Sequence, residues 1–131
     1  YQDMVTIHLE SFAYVKGKIV NYDNGSGFVF DCRGLSNPVT VAELSELTGL
    51  DPEVIEFFNN DDEAVAFAGD CTNIIRNSLP MMRRKGIVNI HAAFGCVGGH
   101  HRSVWSAERV ALMLSAMPGV EVSVKHTALE E

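Results

Sequence analysis

The chain has 131 residues and a formal net charge of −7 at neutral pH, a length that suits one domain with its own core. Hydrophobic residues make up 47% of the chain, yet no apolar run approaches the ~20 residues of a membrane span. We therefore expect a cytoplasmic protein without membrane contact, and the negative charge argues against broad affinity for nucleic acid.

The chain opens on two predicted strands. Residues 4–12 alternate apolar and polar side chains, which indicates a half-buried strand that starts almost at the first residue, as in a piece of a longer protein. Asn, Asp and Gly residues at 21–27 predict a loop. A second short strand follows within 28–34, and it ends before Pro38 because the residue before a proline avoids helical conformation.

Helices are predicted in the middle of the chain. Apolar spacing indicates one over residues 39–47, and a second starts with Asp51 as its N-cap and Pro52 at its first position. A third runs from 61 or 62 to 84, and Pro80 is expected to kink or shorten it.

The second half of the chain is predicted to be strand, helix and strand. The nearly continuous apolar run at 86–95 is typical of a central strand covered on both faces. An amphipathic helix follows over 103–119, and 120–126 alternate as a final strand. We therefore predict the α/β class: a single layered domain over 1–131, with a mixed, mostly parallel sheet flanked by helices and a glycine-rich loop between a central strand and a helix.

That loop, "GCVGGHHRS" at residues 95–103, concentrates more chemistry than any other segment. Open α/β sheets bind ligands at the carboxyl ends of their strands, which is where it lies. Its three glycines (95, 98 and 99) permit close backbone approach and positive φ, and the N-terminus of the next helix favours an anion. Arg102 adds a planar charged fork, while His100 and His101 add donors. The loop therefore predicts a phosphate or phosphosugar site.

The same loop has the C-x5-R-[ST] form of cysteine-dependent phosphatases, in which helix and arginine lower the pKa of the attacking thiol. Gly95 stands where tyrosine phosphatases usually have histidine, and no general-acid aspartate stands out. Three hypotheses stay open. They are anion binding with no catalytic residue, a phosphatase that uses Cys96 and Arg102, and a glycine turn around a buried cysteine.

Metals and cofactors are not expected. Cys32, Cys71 and Cys96 form no CxxC pair, which predicts reduced thiols rather than disulfides or a zinc knuckle. Adjacent His100 and His101 point apart, which disfavours a zinc site.

The remaining histidines and the tryptophan have simpler interpretations. His8 and His91 are predicted to be packed or hydrogen-bonded side chains, whereas His126 could approach the loop from a neighbouring strand. Trp105 is predicted to lie in the core or at a subunit contact rather than to stack on bases, and Ser11 is a candidate hydroxyl for the site.

Five segments follow one another from about Thr6 to Glu130: "ESFAYVKG", "FVFDCRGLSNP", "LTGLDPEV", "GCVGGHHRSVWSAE" and "VSVKHTALE". Each resembles a segment of the C-terminal domain of the RapZ/YvcJ family of RNase adapter proteins, in the same order. The resemblance implies a regulatory domain, similar in outline to part of phosphofructokinase, that binds glucosamine-6-phosphate. It also implies presentation of a small regulatory RNA to an endoribonuclease, and an oligomeric state.

The resemblance also implies a set of ligand-binding residues that combines the loop with the end of the second strand. Asp31 and Arg33 lie on one side of that strand at i and i+2, and Asp31 is expected to accept sugar hydroxyls or to orient an arginine. The implied residues are Asp31, Arg33, Cys96, Val97, Gly98, Gly99, His101, Arg102 and Ser103, to which side-chain chemistry adds His100.

The chain departs from the family at three places. Val39 stands where enterobacterial members have histidine, Val97 replaces a threonine, and "HTALEE" replaces a basic tail, although Lys16, Lys18 and Lys125 remain. The Walker motif of the family's N-terminal domain is not in this sequence, so ATP chemistry is not expected of it. We expect a small phosphorylated metabolite, another domain or protein, and a second copy as partners, and RNA as a less favoured one.

Overall fold

The computed structural model describes residues 4–16 and 27–130. Lys18 and residues 21–26 of the predicted loop lie outside this range. Within it, the order of strands and helices is the one predicted from the sequence, except that the helix predicted over residues 39–47 is not formed. The strands are β1 (Val5–Ala13), β2 (Gly27–Asp31), β3 (Asn89–Cys96) and β4 (Val120–His126), and the helices are α1 (Pro52–Asn59), α2 (Asp62–Arg84) and α3 (Arg102–Leu114).

The four described strands form one sheet in the order β2-β3-β1-β4, and every neighbouring pair is parallel. The α/β prediction is confirmed, and this part of the chain contributes no antiparallel strand to the sheet. The register places Ala13 opposite Cys96 and Asp31 opposite Gly95. The carboxyl ends of β1, β2 and β3 therefore meet at one edge of the sheet.

One face of the sheet carries the hydrophobic core. Val5 and Ile7 of β1 and Ile90 of β3 are fully buried there, because alternate residues of a strand point to the same face. Helix α3 packs on β1, β3 and β4, and α2 packs on α3. The helix is amphipathic as predicted, and its apolar side is buried: Val104, Ala107, Val110, Ala111 and Leu114.

Trp105 belongs to this core. Its side chain is buried and stacks on Phe58 with the ring centroids 5.1 Å apart, while its indole N–H donates a 3.2 Å hydrogen bond to Asn59. The structure therefore gives this residue the packing role that the sequence predicted.

The opposite face of the sheet is more polar. The ring of His8 stacks on that of His91 at 4.8 Å, and its nitrogens are 2.9 Å from Ser123 Oγ and Asn89 Oδ1. Strand β3 is buried on both faces from residue 92 onward, as predicted, but it starts at the exposed Asn89. Both histidines therefore pack between strands, as expected.

The prediction of a helix over residues 39–47 is wrong. The structure has a short 3-10 helix, Pro38–Thr40, followed by turns whose N–H groups bond three residues back, as from Leu44 to Val41 and from Leu47 to Leu44. The β-branched run at 39–41 disfavours an α-helix. The Asn37 side chain, which accepts the Val39 N–H at 3.2 Å, starts the tighter turn.

The predicted starting residues of α1 and α2 are confirmed. Asp61 caps α2 by accepting the N–H groups of Glu63 and Ala64, and Asp51 precedes α1 although its carboxylate accepts the Thr48 N–H instead. Pro80 does not shorten α2, since a helix of 23 residues has enough other hydrogen bonds to bridge one missing N–H. No described helix is long and apolar enough to cross a membrane.

Candidate functional site

The glycine-rich loop connects the end of β3 to the start of α3 at the carboxyl edge of the sheet. His101 occupies the N-cap position of α3 without a side-chain cap, and the first intrahelical hydrogen bond runs from Trp105 N to His101 O at 3.0 Å. The N–H groups of the first turn therefore have no carbonyl partner within the helix, and the helix dipole adds partial positive charge there.

The loop glycines differ in what they do. Gly99 has a φ of +73°, and a Cβ there would lie 2.7 Å from the Cβ of Ala128. A Cβ at Gly95 would lie 2.5 Å from Phe12 Cζ, whereas at Gly98 it would meet open space. Gly95 and Gly99 therefore allow close packing within the protein. The sequence also suggested a positive φ at Gly95 and Gly98, and neither has one.

A cavity of about 320 Å³ opens over the loop. Its far wall is formed by the segment after β2, through Asn37, Val39 and Ser45. Pockets of roughly 300–1,000 Å³ are typical of small-molecule sites, and this one is at the lower end. The residues on the loop side are Cys96, Val97, Gly98, Gly99, His100, His101 and Arg102.

A second cavity, of about 610 Å³, adjoins the first and shares Ser45 and His100 with it. Lys16, Glu46 and Thr48 contribute polar groups to its wall. Ser45 and His100 therefore lie where the two cavities meet.

Arg102 is the fixed positive charge of this site. Its side chain is only 6% exposed, and its NH1 group donates hydrogen bonds to the main-chain oxygens of Arg33 (2.8 Å) and Leu35 (3.4 Å). Among the described residues no carboxylate forms an ion pair with it. The two main-chain carbonyls therefore hold the guanidinium in place at the edge of the cavity.

Asp31 and Arg33 pair with each other beside the cavity and do not line it. Arg33 donates from Nε and NH2 to the two carboxylate oxygens of Asp31 at 2.9 and 2.8 Å, and its guanidinium lies 4.0 Å from the centre of the Tyr14 ring. These hydrogen bonds, with a contribution from the charge of Arg102, lower the pKa of Asp31. Asp31 therefore forms an exposed ion pair with Arg33, and a role of either residue in ligand binding stays a prediction.

Cys96 and Ser103 are both buried, and their Sγ and Oγ atoms are 3.2 Å apart. Cys96 lines the cavity, whereas Ser103 does not. The three cysteines are free thiols, and burial raises the pKa of Cys71 to about 12 and that of Cys32 still further.

His101 lines the cavity, and its lowered pKa favours the neutral imidazole at physiological pH. Burial lowers its pKa, the charges of His100 and Arg102 add to this effect, and the backbone of Leu44 and Leu47 opposes it. The Nε2 atom of His101 is buried and has no hydrogen-bond partner among the described groups. No set of three His, Cys, Asp or Glu side chains within 4–16 and 27–130 is arranged to hold a metal ion.

His126 approaches a different part of the site from the one that the sequence suggested. Its Nδ1 is 2.7 Å from Ser11 Oγ and its Nε2 is 2.6 Å from Glu108 Oε2, so it connects β1, β4 and α3 rather than lining the cavity. Ser11 is fully buried in this network and is not exposed to a ligand.

Sequence reasoning missed two wall residues, Asn37 and Ser45. Asn37 was interpreted only as part of the stop after the second strand, and Ser45 was assigned to a helix that does not form. An asparagine before proline is a turn signal and could have indicated a loop facing the site.

Taken together, the fold and the site define an α/β domain whose cavity lies at the carboxyl ends of parallel strands, against a helix N-terminus. The sequence model of the RapZ C-terminal domain family matches residues 5–130 of this chain. The chain therefore belongs to the RapZ C-terminal domain family, as its sequence resemblance indicated.

Curated relatives of the chain are named nucleotide-binding proteins. Those of Ruegeria pomeroyi (37% identical over 97% of this chain), Xanthomonas axonopodis pv. citri (36% over 95%) and Thiobacillus denitrificans (38% over 95%) are examples. In each case this chain covers 43% of the relative's length, less than half of it.

Proposed function

We propose that this chain is a non-catalytic regulatory module that binds a phosphorylated amino sugar such as glucosamine-6-phosphate, or a similar anion, at the loop of residues 95–103. Membership of the RapZ C-terminal domain family supports the regulatory, non-catalytic role. The observation that carries the ligand proposal is Arg102: a nearly buried guanidinium without a carboxylate partner, lining a metabolite-sized cavity at the start of α3.

The site offers different groups to the two ends of such a ligand. The phosphate would meet Arg102 and the unpaired N–H groups of the first turn of α3. Sugar hydroxyls would meet Ser45 and Asn37 across the cavity, and the adjoining cavity gives room towards Glu46, whose carboxylate suits an amino group. In this proposal His101 acts as a neutral hydrogen-bonding group, because its pKa is lowered.

Isothermal titration calorimetry with glucosamine-6-phosphate tests this proposal. Arg102→Ala should weaken binding tenfold or more, since a charge-assisted hydrogen bond contributes on the order of 1.5–3 kcal/mol. Arg109→Ala removes an equal charge from the same helix, outside the lining of the cavity, and should leave the affinity unchanged. Inorganic phosphate, glucosamine and ATP as titrants separate the contributions of phosphate, sugar and nucleotide.

Circular dichroism must show that Arg102→Ala is folded, and Arg102→Lys provides a milder variant that keeps the charge but loses the planar fork. Equal affinity of wild type and both Arg102 variants would refute the proposed site. Absence of binding by the wild type would refute the ligand class.

A cysteine-dependent phosphatase is the second candidate, because Cys96 and Arg102 line the same cavity and Ser103 lies at hydrogen-bond distance from the thiol. It requires hydrolysis of p-nitrophenyl phosphate that is lost in Cys96→Ser. If the wild type turns over no substrate between mildly acidic and neutral pH, this candidate is eliminated.

The other parts of the assignment have weaker support. We propose that another domain or a protein partner binds this domain and responds to the bound ligand, which is consistent with the family. RNA binding is less favoured because the net charge is −7. A cytoplasmic location and a single domain over residues 1–131 stay predictions.

A further inference from the structure

Two of the three cysteines lie side by side on neighbouring strands, next to the candidate site. Strands β2 and β3 are parallel, and their register places Asp31 opposite Gly95. The next residues along the two strands are Cys32 and Cys96. The Cys32 N–H continues the hydrogen-bond ladder, since it donates to the Gly95 carbonyl at 2.7 Å. The two cysteines are therefore cross-strand neighbours.

The side chains of these cysteines share one face of the sheet. Phe30 and Phe94 stand opposite each other two residues earlier on the same strands, and their ring centroids are 5.2 Å apart. Residues two apart on a strand point to the same face. Both thiols are accordingly buried in the core on the face that carries these rings.

Two serines one turn apart on α3 lie against the thiols. The Cys96 thiol donates a hydrogen bond to Ser103 Oγ at 3.2 Å. Burial raises the pKa of the Cys32 thiol, the nearby Ser106 hydroxyl partly opposes this effect, and the neighbouring Cys96 adds to it. Because residues at i and i+3 share one side of a helix, both thiols face the same surface of α3.

The two thiols differ in their access to solvent. Cys96 is 3% exposed and lines the cavity over the loop, whereas Cys32 is fully buried. A small oxidant that enters the cavity therefore meets Cys96 first. Cys71, the third cysteine, belongs to α2 and lines neither of the two cavities.

From this arrangement we propose that Cys96 and Cys32 form a reversible oxidation site, in which hydrogen peroxide oxidises Cys96 and Cys32 then closes an intramolecular disulfide. In the first step the Cys96 thiol takes one oxygen atom from the peroxide and becomes a sulfenic acid, while the peroxide is reduced to water. In the second step the Cys32 sulfur attacks the sulfenic sulfur. The S–O bond breaks, the S–S bond forms, and the hydroxyl group leaves with the Cys32 proton as water.

The strand geometry suits this bridge. Neighbouring strands lie ~4.8 Å apart, and a disulfide needs Cα atoms roughly 4.4–6.8 Å apart. Among the described strands β2 pairs only with β3. The distance between these two strands can therefore adjust to the S–S bond without disturbing a second ladder on β2.

The bridge connects the two elements that hold Arg102. The carbonyls of Arg33 and Leu35, which accept its hydrogen bonds, belong to the turn that follows Cys32. A covalent link to Cys96 draws this turn towards the loop and displaces the guanidinium from its position in the reduced chain. Oxidation should therefore weaken anion binding. This consequence rests on the proposed function, whereas the formation of the bridge does not.

Mass spectrometry of the 131-residue chain after treatment with hydrogen peroxide tests the site. N-ethylmaleimide added with denaturant should label all three thiols of the reduced wild type. After peroxide it should label only Cys71, and peptide mapping should find Cys32 linked to Cys96 within one chain. Dithiothreitol should restore the labelling of both.

Three single variants assign the roles of the cysteines. Cys71→Ala is the matched control and should form the same bridge as the wild type. Cys32→Ala should stop at the sulfenic acid, which dimedone traps, because the second thiol is missing. Cys96→Ala should keep Cys32 reduced under the same treatment. Circular dichroism shows whether each variant is folded, and the peptide map of the wild type identifies the bridge without depending on any variant.

Thiols of the wild type that all stay reactive after peroxide would overturn the proposal, and so would a bridge to Cys71 or between two chains. Direct conversion of Cys96 to the sulfinic acid in the wild type, as in Cys32→Ala, would overturn the role of Cys32.

Calorimetry with glucosamine-6-phosphate separates the bridge from the ligand. The oxidised chain should bind about threefold or more weakly than the reduced chain, and dithiothreitol should reverse the change. Equal affinities of the reduced and the bridged chain would overturn the effect on the cavity. Absence of binding by both forms would refute the proposed ligand, while a mapped bridge would still support the oxidation site.

Discussion

The guanidinium of Arg102 is hydrogen-bonded at 2.8 Å to the main-chain carbonyl of Arg33, 69 positions away in the sequence. This contact joins the N-terminus of α3 to the turn after β2. The two walls of the cavity therefore depend on each other, and Arg102 has a structural role in addition to the proposed binding role.

Loss of the Arg102 side chain should lower the stability of the domain. Arg102→Ala leaves the part-buried carbonyls of Arg33 and Leu35 without this donor, which should reduce the free energy of unfolding by about 1–2 kcal/mol. Urea denaturation followed by circular dichroism measures this. Arg33→Ala removes an exposed ion pair and the contact of the guanidinium with the Tyr14 ring, and should lower the unfolding midpoint less than Arg102→Ala does. Equal midpoints for all three proteins would show that the Arg102 contacts are not stabilising.

The loop glycines should differ in their tolerance of a methyl group. Gly99→Ala forces an L-residue to a φ of +73° and brings its Cβ to 2.7 Å from Ala128, so it should cost about 2 kcal/mol or more. Gly98→Ala adds a methyl group in open space and should cost little. Thermal unfolding of the two variants makes the comparison, and equal losses would contradict the geometry of the loop.

His101 should make stability depend on pH. Its pKa is lower in the folded than in the unfolded chain, so the unfolded chain binds the proton more readily. The stabilisation is therefore complete above the unfolded pKa of about 6.5 and is lost as the pH falls towards the folded value. His101→Gln should flatten this part of the stability profile, and NMR titration of the imidazole gives the folded pKa directly. A folded pKa above the ordinary value would reverse the sign and refute the prediction.

A histidine at position 39 should strengthen anion binding. Val39 lines the cavity opposite Arg102, so Val39→His adds a donor that becomes positively charged in mild acid. We expect up to about tenfold tighter binding of glucosamine-6-phosphate below neutral pH and a smaller gain above it. Leu50→His is the control, because Leu50 is also 49% exposed and does not line the cavity. A gain of the same size in both variants would indicate only a nonspecific charge effect.

Much of the fold was readable from local patterns. The strands β1, β3 and β4 and the helices α1, α2 and α3 were predicted because each has a periodic apolar pattern over at least seven residues. The helix predicted at 39–47 failed because three apolar positions at helical spacing were outweighed by a β-branched start and by Asn37. Leu44 is buried in the core from a turn instead.

The candidate site was only partly readable. The loop residues that line the cavity were predicted because glycines, histidines and an arginine stand together in the sequence. Asn37 and Ser45 form the facing wall, and although Asn37 carries a turn signal, the contact of this segment with the loop depends on tertiary packing. The pairing of His126 with Ser11 and Glu108 likewise joins residues up to 115 positions apart.

The sequence by itself determined the α/β class, the family and the place of the loop between a strand and a helix, because periodicity and motif spacing are local properties of a chain. Only the tertiary structure decided which glycines are free and which carbonyls hold Arg102. It also decided that Cys32 and Cys96 are neighbours across two strands. These depend on the parallel register and on which segments meet across the sheet, and distances between residues remote in sequence are set by the packing of the whole domain.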